Sequence, residues 1–199
     1  MGFKVFDLYD MKEVKIEDRA LQPYINLDEK IIVKFHGRNF WKFDKYKAHV
    51  LERLANRIGV PGHVGKKHKI ITGRASGKYN NSMKIVFEAL SVIHNKKKEN
   101  PVQIFIRAIQ NASPRDEVTT IEYGGARYPQ AVDVSPSRRV NLAIRWIVQG
   151  AYQRCFGKKK KMFESLANEI LLASEGNMES YAMGKKNESE KQADAARWL

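Results

Sequence analysis

Residues 123–148 read YGGARYPQAVDVSPSRRVNLAIRWIV, and this stretch contains the two features that decide the fold. Its glycine pair lies between two β-rich segments, EVTTIEY and YPQAVDV, which predicts a β-hairpin over about 117–134. Pro129 would remove a donor from a sheet, so the hairpin should be an exposed arm. Ser135 and Pro136 then occupy the N-cap and the first position of a predicted helix. Apolar residues follow its helical period: Val140, Ala143, Ile144, Ile147 and Ala151.

Helical periodicity outside this stretch predicts a mostly helical chain. We expect one helix from Lys45 to Gly59, one over about 81–95, one from Pro101 to before Pro114, one ending at Gly176 and another near the C-terminus. The run KIIVKF at 30–35 is β-like, but the first forty residues show no helical period and are interpreted as an extension that lies on another surface. The predicted fold class is therefore mainly α: a bundle of about six helices with one protruding β-hairpin arm, an irregular N-terminal extension at 1–43 and a helical domain at 44–199.

The composition indicates a polyanionic partner. Lys and Arg number 36 against 22 Asp and Glu, which gives a formal net charge of +14, while 43% hydrophobic residues are ordinary for a globular protein. Such an excess of positive charge favours nucleic acid as a partner, with an anionic membrane surface as the second candidate. No apolar run approaches the ~20 residues that span a bilayer. Cys155 is the only cysteine, so no internal disulfide is expected, and the chain is predicted to be cytoplasmic.

Two arginines occupy the first turn of the helix that begins at Pro136. Cations there oppose the helix dipole by ~0.3–1 kcal/mol each, whereas a phosphate would meet both guanidinium groups and free backbone N–H groups. Arg138 and Arg139 are therefore interpreted as a preformed anion site that is unfavourable when empty. The same side of the helix continues through Asn141, Arg145, Gln149 and Tyr152. A solvated polar face is the alternative interpretation.

The hairpin tip and three basic clusters are further candidates for RNA contact. Arg127 and Tyr128 combine a cation with a stacking surface that suits unstacked bases, although Tyr123 and Tyr128 could instead form a cross-strand pair. The clusters lie in an acid-free loop at 65–82, in the KKKK run at 158–161 and before the final polar segment. Their candidate residues are Lys66, Lys67, Lys69, Arg74, Lys78, Lys158, Lys159, Lys185 and Lys186. Several patches on one chain favour an extended polyanion over a single small ligand.

The sequence contains no complete catalytic motif. TGRASGK resembles a phosphate-binding P-loop, but Gly73 and Gly77 are one residue too close and Tyr79 stands where a magnesium-binding Ser or Thr is needed. The five histidines lack metal-ligand spacing, and no carboxylates pair as two-metal chemistry requires. Neither an enzyme nor a cofactor is predicted.

Several separate blocks of the sequence resemble one family, universal small-subunit ribosomal protein seven. The blocks are YGGARYPQAVDVSPSRRVNLAIRWIVQGAYQR, SLANEILLASEG, SYAMGKKNESEKQADAAR and PVQIFIRAIQNASPRDEV, with LERLANRI, GKKHK and GRASGK before them. They occur in the family's order over about 44–197. QAVDVSPSRR, the GKKHKIITGRASGK loop and SYAMGKK are similar to the archaeal and eukaryotic branch, the archaeal above all. Arg127 stands where the bacterial pattern has asparagine, and Pro129 lies two residues earlier than the proline there.

The resemblance implies a protein that binds the 3′ major domain of small-subunit ribosomal RNA and organises assembly of the subunit head. Its β-ribbon would reach toward exit-site transfer RNA and the path of messenger RNA. By match of motif, the ribbon residues are Gly124, Gly125, Ala126, Arg127 and Tyr128, and Arg115 joins the arginines and lysines named above as a ribosomal RNA contact. Neighbouring small-subunit proteins would be further partners, with no membrane involved. A free-standing basic RNA-binding or RNA-chaperone protein is the alternative function.

Overall fold

The computed structural model describes residues 4–35, 41, 44–61 and 78–197, which form six α-helices and one two-stranded ribbon. The helices are α1 (Val50–Ile58), α2 (Tyr79–Lys97), α3 (Pro101–Ala112), α4 (Pro136–Cys155), α5 (Met162–Ser174) and α6 (Tyr181–Arg197), and the strands are β1 (Asp116–Tyr123) and β2 (Ala126–Asp133). A 3₁₀ turn, Asp44–Lys47, leads into α1. The mainly α fold class with a protruding hairpin is confirmed. No described helix combines the length and the apolarity that crossing a bilayer requires.

Helix α4 begins at Pro136, as its sequence predicts. The carbonyl of Ser135 accepts hydrogen bonds from the N–H groups of Arg138 and Arg139, at 2.9 and 3.0 Å. Ser135 occupies the N-cap, as predicted, but its side chain accepts no capping hydrogen bond, so the helix starts through backbone geometry and the preset φ of Pro136. The predicted apolar stripe is buried along its whole length: Val140, Ala143, Ile144, Ile147 and Ala151.

Helices α3, α4 and α5 form the centre of the molecule and pack against one another, while α2 covers α5 and α1 lies between α2 and α4. The core contains large side chains with less than 2% exposure, among them Leu90, Phe105, Ile147, Leu166 and Ile170. Removing each such side chain from water contributes ~1.5–3 kcal/mol. Because α4 contacts four other helices, only part of its predicted polar side is open to solvent: Arg138 and Arg145 are exposed, whereas Gln149 is buried.

The ribbon follows from its glycine turn. Strands β1 and β2 pair antiparallel in full register, and φ is +59° at Gly124 and +82° at Gly125, the type I′ geometry that glycine adopts without strain. Pro129 lies opposite Thr120, at a position where the alternation counted from the turn requires no ladder hydrogen bond. The outer half, residues 119–130, is exposed on both faces, as expected of an arm.

The described N-terminal segment, residues 4–35, lies on the helices of its own chain. Its apolar anchors belong to the same core as the helices: Val5, Tyr9, Met11, Leu21, Ile25 and Val33. Gln103 on α3 holds Lys15 from both sides, accepting from its N–H at 2.7 Å and donating to its carbonyl at 3.0 Å. Asn100 donates to the carbonyl of Asp10 at 2.7 Å. The surface on which the extension lies is therefore the helical bundle itself.

The β-like run KIIVKF forms no strand, so that prediction is wrong. Its backbone is satisfied by side chains and by isolated backbone hydrogen bonds, such as that from the Phe6 N–H to the Ile31 carbonyl at 3.2 Å, rather than by a neighbouring strand. The Tyr79 hydroxyl donates to the carbonyl of Val33, and the N–H of Phe35 donates to Glu52 at 2.8 Å. The apolar run thus forms an irregular segment that is held against α1 and α2.

Helix α6 begins earlier than the polar C-terminal sequence suggests, because α5 supplies its cap. Glu169 is fully buried, and its Oε1 accepts from the Ser180 hydroxyl at 2.7 Å and from the Ala182 N–H at 3.2 Å. Arg154 Nη2 lies 3.4 Å from Glu169 Oε2. A carboxylate from a neighbouring helix therefore satisfies the first turn that starts at Tyr181.

Helix α6 also holds the base of the ribbon. The Ser189 hydroxyl donates to the carbonyl of Asp116 at 3.2 Å, and Arg197 Nη2 lies 2.8 Å from the Asp116 carboxylate. Just before the ribbon, the N–H of Arg115 donates to Glu190 at 3.0 Å. The docking of α6 and the orientation of the ribbon are consequently linked.

His49 occupies the N-cap of α1 in an apolar environment. Its Nδ1 accepts from the N–H of Leu51 at 3.2 Å, while its Nε2 is buried with no hydrogen-bond partner among the described residues. Burial lowers the pKa of His49 to about 4, against the opposing charge of Asp28 and with the help of Lys30. The folded chain therefore keeps this imidazole neutral well below its ordinary pKa.

We expect stability to fall as the pH drops from 6.5 toward 4. Below pH 6.5 the unfolded chain protonates His49 while the folded chain does not, so ~2 kcal/mol of the free energy of unfolding should be lost between pH 7 and 5. His49→Asn keeps a capping acceptor and removes the titration. Urea unfolding at both pH values should show a smaller loss for the variant, and equal losses in the two proteins would contradict this role.

Candidate nucleic-acid interface

The predicted RNA contacts divide into residues inside and outside the described part of the chain. Lys66, Lys67, Lys69 and Arg74 lie outside it. Five predicted cations inside it are exposed and form no ion pair with a described residue: Lys78, Arg115, Arg145, Lys158 and Lys159. The other four are engaged within the protein: Arg138, Arg139, Lys185 and Lys186.

The two arginines in the first turn of α4 already have carboxylate partners. Arg138 donates from Nε and Nη2 to Glu117 at 2.8 and 2.7 Å, which joins α4 to the ribbon. The Arg139 side chain is only 13% exposed, and its Nη2 lies 3.0 Å from Asp18 in the N-terminal extension. The first turn is therefore neutralised by the protein itself, and the expectation of an unfavourable empty anion site there is wrong. Arg138, half-exposed, remains accessible to a competing phosphate.

A cleft between α1 and α4 brings together cations that are distant in the sequence. It has a volume of about 430 Å³, and Lys45, Arg57, Arg138 and Arg145 line it together with Tyr46, Ser137, Asn141 and Leu142. An adjoining cavity of about 270 Å³ shares Lys45, Arg57 and Asn141. Sequence reasoning missed Lys45 and Arg57, because it used α1 only for its apolar side. The polar side of that amphipathic helix was the signal that could have located Arg57.

The cleft has an unbalanced positive charge. Burial lowers the pKa of Arg57, and the nearby charge of Arg145 lowers it further. Neither side chain forms an ion pair with a described carboxylate. Arg53, one turn before Arg57, differs: it donates to the carbonyl of Tyr24 at 2.6 Å and to Asn141 Oδ1 at 3.0 Å, and burial lowers its pKa to about 10. Arg53 thus clamps α1 to α4, whereas the other two cations face each other across the cleft.

Lys158 and Lys185 meet at a second cavity, of about 540 Å³, between the end of α4 and helix α6. Carboxylates share this cavity. Glu188 pairs with Lys185 at 2.5 Å and, through that hydrogen bond, raises the pKa of the lysine. Glu179 also lines the cavity. This patch therefore carries less uncompensated charge than the cleft between α1 and α4.

A third group of cations lies near the ribbon base. Burial lowers the pKa of Lys186, Glu190 opposes this shift, and the charges of Arg115 and Arg139 add to it. Lys186 donates to the carbonyl of Asn111 at 2.9 Å. Of the three cations, only Arg115 is an exposed residue that offers an accessible charge.

The ribbon is acidic, although the protein is strongly basic. Its strands contain four carboxylates and a single cation, Arg127. Arg127 Nε lies 3.5 Å from the carboxylate of Glu122, its direct cross-strand partner. The charge at the tip is thus compensated within the ribbon. The ribbon is therefore poorly suited to bind phosphates.

One face of the ribbon is apolar and aromatic. Tyr123 and Tyr128 are 81% and 58% exposed. They do not form the direct cross-strand pair considered from the sequence, because Tyr123 lies opposite Ala126 and Tyr128 lies opposite Ile121. Direct partners and alternate residues of a strand share a face, so both rings and Ile121 project from the same side. At the turn, Gly124 and Gly125 leave the space around them open.

Comparison with known proteins assigns this arrangement to a family. The model of the family described as Ribosomal protein S7p/S5e matches residues 29–197, which include all six described helices and the ribbon. The chain belongs to this family. It is therefore a ribosomal protein. Within the described residues, no cluster of three His, Cys, Asp or Glu side chains could hold a metal ion.

Full-length relatives agree with the family model. A protein named small ribosomal subunit protein uS7 from Nanoarchaeum equitans is 46% identical over 198 residues, 99% of this chain and 100% of the relative. Proteins of the same name from Methanosphaera stadtmanae and Methanothermobacter thermautotrophicus are 44% and 45% identical, covering 98% and 96% of this chain and 100% and 98% of the relatives. All three organisms are archaea, so the resemblance to the archaeal branch of the family is confirmed.

Proposed function

We propose that this ribosomal protein binds the 3′ major domain of small-subunit ribosomal RNA, organises assembly of the subunit head and places its ribbon near exit-site transfer RNA and the messenger RNA path. The observation that carries the proposal is the cleft between α1 and α4. There Arg57 and Arg145 lie close together without a described carboxylate to balance them. Like charges held together destabilise the free protein, and a polyanion offsets that repulsion.

The distribution of the other exposed cations supports a large, folded RNA as the partner. Lys78 lies at the start of α2, Arg115 at the ribbon base, and Lys158 and Lys159 in the turn between α4 and α5. A small anion could engage only one of these positions at a time. The backbone of a structured RNA can pass over several of them and be held by a rigid helical bundle.

The ribbon supports the proposed position near transfer RNA and messenger RNA. Its exposed outer part, 119–123 with its partner strand, extends ~15 Å at the rise of a β-strand. Its tyrosines offer stacking surfaces, while its carboxylates disfavour close contact with phosphates. Such an arm suits contact with bases or with neighbouring small-subunit proteins at a crowded site.

The proposed role is structural rather than catalytic, and the protein would act while bound to cytoplasmic ribosomes. Neither a cofactor nor a membrane enters the proposal. A free-standing RNA chaperone would present a similar basic surface but would lack a fixed position on the small subunit. Sedimentation separates these roles, since a structural component should remain with small subunits through a high-salt wash and a free-standing protein should be released.

Arg145→Gln is expected to weaken binding to the 3′-major-domain RNA roughly fivefold to tenfold at ~0.15 M salt, because one phosphate contact is lost. The slope of log affinity against log salt should become shallower by about one unit. Filter binding across a salt series measures both quantities. Arg107→Gln, on the exposed side of α3 and outside the cleft, is the matched control for loss of one charge. Equal effects of the two substitutions would contradict a specific contact at Arg145.

A further inference from the structure

We propose that Arg57, together with Arg145, forms a deep site for one phosphodiester group of the bound RNA. The proposal rests on the proposed RNA-binding function and deepens it, because it assigns to one pocket the contact that anchors the RNA. Arg57 lines both cavities between α1 and α4, whose volumes are about 430 and 270 Å³. Either cavity exceeds the size of a phosphate group.

The hydrogen-bonding state of Arg57 points to a missing acceptor. Its Nε and Nη2 atoms are buried and have no hydrogen-bond partner among the described residues. These two N–H groups lie along the same edge of the planar guanidinium, the edge that binds two oxygens of one phosphate or carboxylate. Leaving such donors unsatisfied in a buried position is unfavourable. An anion with two adjacent oxygens would satisfy both.

A purely structural role is the alternative, and Arg53 shows how such a role looks in this helix. Arg53 donates hydrogen bonds to the carbonyl of Tyr24 and to the side chain of Asn141. Arg57 lies one turn further along α1 and has no equivalent partners in the described chain. The buried Arg53 and the partly buried Arg57 therefore differ in one respect: described residues accept hydrogen bonds from Arg53, whereas none accepts from Nε or Nη2 of Arg57.

The surroundings of Arg57 favour a phosphate over a carboxylate of the protein itself. The charge of Arg145 lowers the pKa of Arg57, so the two cations repel each other in the free protein. Lys45 and Arg138 line the same cleft. Because the two nitrogens are covered, the guanidinium has to turn toward the cleft to receive the ligand. Two charge-assisted hydrogen bonds to the phosphate, and the relief of the repulsion between Arg57 and Arg145, offset the free-energy cost of that reorientation.

The test compares Arg57→Gln with Arg107→Gln in the full chain. Titration of the 3′-major-domain RNA at fixed salt should show that Arg57→Gln loses at least about tenfold more affinity than the control. Arg57→Lys should fail to restore the affinity, since lysine keeps the charge but lacks the planar edge. The melting temperature of the free Arg57→Gln variant should equal or exceed that of the wild type, because an unsatisfied, repelled cation has been removed.

Each alternative outcome has a distinct meaning. If the wild type shows no specific RNA binding, the proposed function fails and the pocket with it. If the wild type binds but Arg57→Gln weakens binding no more than Arg107→Gln, the pocket alone is overturned. A lower melting temperature of free Arg57→Gln would assign Arg57 a structural role and overturn the proposal. Melting of the free protein with added inorganic phosphate separates RNA from a free anion as the ligand. If phosphate raises the melting temperature of the wild type but not of Arg57→Gln, while both proteins bind the RNA with equal affinity, RNA is overturned as the source of the phosphate.

Discussion

Glu169→Ala is expected to lower the free energy of unfolding by about 3–5 kcal/mol. The Ser180 hydroxyl and the Ala182 N–H would lose their common acceptor inside the protein, and Arg154 would lose its carboxylate partner. Buried donors without partners and a half-buried cation without its counter-charge are both strongly unfavourable. Urea unfolding at pH 7 measures the loss directly.

Two further substitutions make the role of this carboxylate specific. Glu169→Gln keeps an acceptor for Ser180 and Ala182 and should lose less stability than Glu169→Ala. Glu164→Ala, on the same helix but less buried, should change the free energy of unfolding by no more than about 0.5 kcal/mol. A Glu169→Ala variant as stable as Glu164→Ala would show that α6 does not depend on this cap. Faster hydrogen exchange over α6 in Glu169→Ala would support it.

Gly150→Ala is expected to lower the free energy of unfolding by about 2–3 kcal/mol. A Cβ at this position would lie 2.7 Å from the Cβ of Tyr181 and 3.0 Å from the carboxyl carbon of Glu169. Neither neighbour can move easily, because the first is fixed to the backbone of α6 and the second is fully buried. Helices α4 and α6 would have to separate, which would also disturb the ribbon base.

Gly184→Ala is the matched control and should act in the opposite direction. A Cβ there would meet no heavy atom within 4 Å, and the residue lies inside helix α6. Alanine in place of glycine within a helix should therefore raise the free energy of unfolding by about 0.5–1 kcal/mol. Thermal melts of the two variants should shift to opposite sides of the wild type. A stabilising Gly150→Ala would contradict the close contact of α4 with α6.

The elements that were predicted well are those encoded by adjacent residues. The glycine pair at 124–125 requires positive φ and so marks the hairpin turn, and Ser135 with Pro136 marks the first turn of α4. The apolar period of α4 predicts its buried side, because the same residues face the core wherever the helix lies. Local backbone preference and helical period therefore explain most of the fold class.

The features that were missed depend on residues far apart in the sequence. The partner of Arg138 is 21 residues away and that of Arg139 is 121 residues away, so their ion pairs could not be read from neighbouring positions. The first turn of α6 depends on Glu169, a residue of the preceding helix. The cleft that contains Arg57 exists only after α1 has packed against α4. No local pattern encodes the distance between two helices.

The domain division and all of the RNA contacts stay predictions. The division of the chain at residue 43 rests on the change in periodicity, although residues 4–35 share the core of the helices. The RNA contacts in the basic loop, at Lys66, Lys67, Lys69 and Arg74, lie outside the described residues. The charge pattern of the loop and the family resemblance support those four contacts.

We propose that this protein recognises its own ribosomal RNA through several phosphate contacts. The most direct test is titration of the purified protein into its small-subunit 3′-major-domain RNA, with excess transfer RNA as competitor, across a salt series. We predict saturable binding that survives the competitor, with log affinity falling by roughly 0.7–0.9 per phosphate contact for each unit of log salt. Binding that the competitor abolishes would contradict the claim and leave only a generic basic surface.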